Sequence, residues 1–218
     1  MFRNLVKKVF DIREGEYRVS FLMTGYIFII IAVLLIIKPT VNALFLSKLG
    51  VEQLPIAFLL VAFTAVLSSF AYSKALAKFL LREIIEVTLL SSIILLIGLG
   101  VLFKFNLLNG WTLYFFYVWV AIYAVLSASQ FWVLANMVFN VREAKRLFGF
   151  IGSGAILGGI FGGYLTSVLA PFVASEMLLF LAACLLVFCI PLLRMIWKLR
   201  VVKLNMFKQK KRVTNHEE

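Results

Sequence analysis

The chain has 218 residues, 63% of them hydrophobic, and a formal net charge of +12. Soluble domains are nearer 45–50% apolar, so no water-soluble core could hide this much apolar surface, and lipid is the expected solvent for most of the chain. In a soluble protein the charge would point to nucleic acid; here the basic residues lie between apolar runs, where they record orientation and contact with anionic headgroups, and nucleic acid is not an expected partner.

Residues 1–18 are mixed in charge and weakly amphipathic, as in a cytoplasmic leader or surface helix. A bilayer is crossed by about 20 apolar residues, and six stretches qualify. They cover 19–37, continuing as helix past Pro39 to 46, then 54–72, 84–103, 111–139, 148–169 and 177–197. Together they make a transmembrane domain over 19–197, followed by a basic cytoplasmic tail over 198–218. With the N-terminus inside, every lysine and arginine except Lys38, Lys48 and Lys104 falls on the cytoplasmic side. Such sorting fixes both termini in the cytoplasm of a multi-pass protein of the inner (plasma) membrane.

The stretches differ in kind. The first ends in Lys38, Thr40 and Asn42. The second is sprinkled with small residues: Ala57, Ala62, Thr64, Ala65, Ser68, Ser69 and Ala71. The third is plain and can face lipid nearly all round. The fourth carries Tyr114, Tyr117, Tyr123, Ser127, Ser129, Gln130 and Asn136, the fifth is striped with glycine, and the sixth is plain again. Polar, small, plain thus recurs with opposite orientation. The expected fold is an all-α membrane protein with six transmembrane helices in an inverted three-plus-three repeat, half of a major-facilitator-type carrier.

Several residues could carry chemistry. Lys38 is either a snorkelling end-cap or, if the helix runs on beyond Pro39, a cation facing a polar cavity that would attract an anion. Tyr123, Ser127 and Gln130 share one face of the fourth helix, which either hydrogen-bonds within the bundle or lines a solute path. Asn136, nearer the cytoplasm, and Asn42 belong with the same reading. The basic turn 140–146 contains Arg142, Glu143, Lys145 and Arg146. It marks orientation and could also form a cytoplasmic gate, with Glu143 pairing to Arg146 or to another loop. Gly154, Gly158, Gly159, Gly162 and Gly163 form a dense stripe for close helix packing; no lysine follows them, so a phosphate loop is not indicated.

Enzyme chemistry is not expected. Cys184 and Cys189 lie in an apolar run without metal-ligand spacing, and the single histidine, His216, sits in the polar tail, so neither a metal site nor a catalytic triad is assembled. No cofactor is expected.

With Phe131-Trp132 and Ala135-Asn136, then Glu143 through Phe148, then the glycine stretch to Gly163, the chain resembles the N-terminal half of the nucleotide transporter (ATP:ADP antiporter) family. Lys38-Pro39, Ala43-Leu44-Phe45, Gly50 and Leu54-Pro55 extend the match. That resemblance implies a twelve-helix carrier related to the major facilitator superfamily, exchanging nucleotides by alternating access, with Lys38 as a phosphate contact. The exchangers' carboxylate in the fourth helix has no counterpart over 119–130, which leaves an anionic, nucleotide-like solute as the expectation. The expected partners are the bilayer, that solute, and a second six-helix half or a homodimer partner. The competing expectation is a non-transporting anchor or sensor module that docks a partner through its glycine-rich helix.

Overall fold

The computed structural model describes residues 16–105 and 109–201. The remainder of the leader and of the basic tail, including His216, lies outside the described residues. The described chain is helical throughout, with no strand among the described residues. Six helices are long and apolar enough to cross a membrane: α1 Tyr17–Leu49, α2 Leu54–Lys78, α3 Leu81–Lys104, α4 Gly110–Val138, α5 Val141–Leu169 and α6 Ser175–Ile196. A π-helical turn, Trp197–Val201, continues α6.

Most boundaries fall within a few residues of the apolar runs; two places matter for the architecture. First, α1 continues unbroken through Pro39 and stops only at Leu49. Proline has no N–H to give the carbonyl four residues back, that of Leu35. The Thr166 hydroxyl of α5 takes that place, 3.2 Å from Leu35 O and 2.8 Å from its own Gly162 O. With one proton for two acceptors, the hydroxyl bonds chiefly to the nearer Gly162 O and offers the carbonyl that the proline orphans a weaker bond from a neighbouring helix. α1 ends at Gly50, whose φ of 80° permits the reversal and whose N–H reaches Leu46 O at 3.1 Å. Second, 140–146 is not a turn. Only Phe139 and Asn140 separate α4 from α5, and Val141 onward is helix. Glu143 accepts the Asn140 N–H at 2.9 Å, closing the helix start three residues back.

α1 is the centre of the bundle, packing on α4, α5 and α6; α6 packs on α3, α3 on α4, and α2 on α4 with a slight contact to α3. The main core runs through Met23, Ile30, Val33 and Ile37 of α1, Ile85 and Leu96 of α3, Leu134 of α4 and Leu186 of α6. The plain helices α3 and α6 do not face lipid all round. They bury a continuous face against each other and, for α6, against α1, because unadorned leucine and isoleucine rows interdigitate well. The helix with almost no buried residue is α2, where Ala57 alone is buried.

α5 lies along α1. A Cβ added at Gly154, Gly158 or Gly162 would sit 2.6, 2.3 or 2.4 Å from the carbonyl oxygens of Thr24, Phe28 and Ala32. The two backbones are therefore in direct contact, which only glycine allows. Both sets of numbers rise together, so α1 and α5 run parallel, as the first and fifth crossings of an alternating bundle must.

At the end where α1 starts and α6 finishes, which carries most of the described charge, carboxylates tie the helices together. Arg146 of α5 bonds Glu16 just before α1 at 3.1 Å, and Arg194 of α6 bonds Glu86 of α3 at 3.1 Å. Arg200, in the turn after α6, pairs with Glu143 of α5 and donates to Val138 O at the end of α4.

Candidate functional site

The site is a groove of about 290 Å³ between α1, α2 and α4. α1 contributes Lys38, Val41 and Asn42; α2 contributes Phe58, Val61 and Ala65; α4 contributes Tyr117, Ala121 and Ala124. It exists because α2 is held near its two ends and not in the middle. At the end near Leu54, Ala57 packs with Leu44, Phe45 and Leu113 in a small second core, and Tyr114 Oη donates to Gln53 Oε1 at 2.7 Å. Toward the other end, Leu76 meets the main core. Beside the first attachment the Phe45 ring meets Tyr114 edge-on and Tyr117 at a tilt, with centroids 5.1 and 4.8 Å apart, and Tyr117 meets Phe58. The aromatic wedge holds α2 away from α1.

Lys38 is the charged residue of the groove. It sits five residues beyond the midpoint of α1, about 7 Å along the axis, and about 15 Å short of Lys48 near the helix end. A lysine side chain spans roughly 6 Å from Cα to Nζ, so its ammonium cannot reach the level of Lys48 by snorkelling. α1 runs on past Lys38 to Leu49, and the Lys38 side chain is exposed at the groove. Asn42, one turn on, faces the same groove and is half-buried.

The polar row of α4 lies elsewhere. Tyr123, Ser127 and Gln130 are 2%, 3% and 3% exposed and point into the bundle. Gln130 Nε2 donates to Thr88 Oγ1 of α3 at 2.9 Å, and Ser127 Oγ donates to Ala124 O at 3.3 Å. Tyr123 Oη has no hydrogen-bond partner among the described residues. A helix turns about 100° per residue, so Ala121 and Tyr123 face nearly opposite ways; the groove takes the Ala121 side. Of the six residues expected to contact solute, the structure thus brings Lys38 and Asn42 together, packs Tyr123, Ser127 and Gln130 dry between helices, and leaves Asn136 exposed at the far end of α4.

The four expected gate residues also divide. Glu143 and Arg146 form ion pairs, but with Arg200 and Glu16 respectively. Arg142 and Lys145 are exposed on the first turns of α5. Of the stripe, Gly154, Gly158 and Gly162 are filled by α1, while a Cβ added at Gly159 would lie 3.8 Å from Ile31 and one added at Gly163 would meet nothing within 4 Å. Cys184 is exposed and Cys189 buried, both as free thiols, and among the described residues no cluster of three metal-ligating side chains forms.

Three participants were not singled out from sequence. Tyr117 was visible as a polar residue of the fourth helix, and its spacing of four and seven to Ala121 and Ala124 is the signal that finds the groove face. Arg200 and Glu16 carry no local pattern that would predict a partner more than fifty residues away. No family model, curated protein or solved structure matches the chain.

Proposed function

We propose that the chain is one six-helix half of a membrane carrier that moves an anionic solute, a nucleotide among the candidates, by alternating access. Its solute contacts are Lys38, Asn42 and Tyr117. The single observation behind this is the ammonium of Lys38, set in a groove well inside an unbroken apolar helix. At the centre of a membrane helix a charge costs about 2.5–3.5 kcal/mol even on the most lenient scales, and a charge within an apolar helix calls for water and a counter-charge. The groove opens sideways between α1, α2 and α4, and a second six-helix unit, whether another half or a second copy, would supply the missing wall.

Two further features support this reading. Exchanging α1 with α4, α2 with α5 and α3 with α6 pairs the α1–α5 and α1–α6 contacts with the looser α4–α2 and α4–α3 contacts, as expected of an inverted three-plus-three repeat whose halves have diverged. The charged end carries the basic excess, which orients both termini toward the cytoplasm of the inner (plasma) membrane. The resemblance to the nucleotide transporters adds the solute class.

The dry packing of Tyr123, Ser127 and Gln130 favours a second reading, a non-transporting module. Docking through the glycine helix would then have to use the Gly159–Gly163 side, since α1 occupies the other glycines. Uptake of labelled nucleotides and smaller phosphates into proteoliposomes decides between them. The carrier reading expects uptake by the wild type and its loss in Lys38→Ala; a folded, reconstituted wild type that moves no anion would overturn it.

A further inference from the structure

We propose that a second groove, between the start of α1 and the end of α6, binds one anionic phospholipid. Arg18 and Lys198 hold its phosphate, and an acyl chain lies along Phe21, Leu22 and Met195. The cavity measures about 630 Å³ and has Tyr17 at its rim. Its chemistry is graded along the helix axes. The two cations stand at the charged end of the bundle, and the apolar walls begin one turn, about 5 Å, deeper. Phe21 and Met195 are both exposed there. A ligand matching that gradient has an anionic head and an apolar body. Free phosphate would satisfy the cations and leave the walls bare, so the site commits to a lipid.

The charges around it point the same way. Arg82, Arg146, Arg194 and Arg200 each have a carboxylate partner. No ion pair among the described residues involves Arg18 or Lys198, and Glu16, two residues from Arg18, is turned to Arg146 instead. Two cations converging on one apolar groove at the helix ends form a basic pocket of the kind that takes lipid headgroups. An aromatic such as Tyr17 suits the interfacial level. The inference rests on the helices crossing a bilayer and not on transport, so its failure leaves the uptake result standing and the reverse.

The test is native mass spectrometry of the full chain in detergent, titrated with phosphatidylglycerol and phosphatidylcholine. The expected result is retention of one phosphatidylglycerol in preference to phosphatidylcholine, with apparent affinity falling about tenfold in Arg18→Gln/Lys198→Gln. Lys74→Gln/Lys78→Gln removes the same charge from exposed positions on α2 and should leave retention unchanged. Met195→Trp keeps both cations and fills the apolar arm, and should also release the lipid; inorganic phosphate should not compete. Equal retention of the two lipids, equal loss in the two charge variants, an unaffected Met195→Trp, or displacement by phosphate would each overturn the proposal.

Discussion

α5 and α2 were alike in sequence, both rich in small residues, yet one is sealed along its partner and the other stands off. α5 brings glycines at four-residue spacing, and α1 offers bare backbone opposite them. The Phe28 ring turns aside to meet Phe161 at 5.5 Å, so the carbonyl of Phe28 can approach Gly158. α2 brings alanines and serines, each with a Cβ, and meets the Tyr117 ring of α4 through Phe58, with Phe45 of α1 behind it. Close approach needs small residues on one helix and the absence of obstruction on the other. Where the second condition fails, the bundle keeps a groove, and Lys38 is in it.

The largest effect should come from closing the seam to the wrong shape. Gly158→Leu forces a side chain into backbone 2.3 Å away, beyond the roughly 1–3 kcal/mol of ordinary overpacking. Size-exclusion chromatography should show little monodisperse protein. Ala65→Leu, on the groove side of α2, should fold at wild-type yield. Equal damage from both would erase the contrast between the two helix pairs.

Next in size is Lys38→Ala. Uptake should fall at least about tenfold, the loss expected for one hydrogen bond to a charged group. Thermal stability should hold or rise, because removing an intramembrane cation relieves its solvation cost. A Lys38→Ala protein that unfolds would make the residue structural instead.

Smaller again is the repair at Pro39. Thr166→Val should cost about 1 kcal/mol, the usual worth of one hydrogen bond, in chemical denaturation. In a Pro39→Ala background, where the helix N–H to Leu35 O is restored, the cost should shrink; additive costs would show that Thr166 does not serve that carbonyl. The smallest effect is expected at the ion pairs. A double-mutant cycle over Glu86→Gln and Arg194→Gln, whose guanidinium is exposed, should give a coupling of about 0.5 kcal/mol, diminishing with added salt.

The six long apolar helices were legible because length and apolarity are one-dimensional properties. Lys38 was legible for the same reason once the helix was allowed past Pro39. The face of α4 was not. Periodicity groups Tyr123, Ser127 and Gln130 together but does not say what they meet. Inside lipid, a glutamine amide is best satisfied by another helix, and Gln130 finds Thr88 on α3. The groove face is instead marked by the small Ala121 and Ala124, which a search for polar residues passes over. The misassignment of the plain helices has a related origin: composition reports what a helix could pack against, whereas burial depends on its neighbour.

The central claim is that position 38 meets water from within the bundle, and thiol accessibility tests it most directly. In a Lys38→Cys/Cys189→Ala protein in proteoliposomes, the cysteine at position 38 can be compared with native Cys184, exposed on the outer surface of α6, using a charged, membrane-impermeant methanethiosulfonate read out by peptide mass. The carrier account predicts that position 38 is modified at least about tenfold faster than Cys184, since such reagents reach thiols only through water and a polar group pays several kcal/mol to enter lipid. Modification at position 38 no faster than at Cys184 would place that side chain in acyl chains and contradict the account.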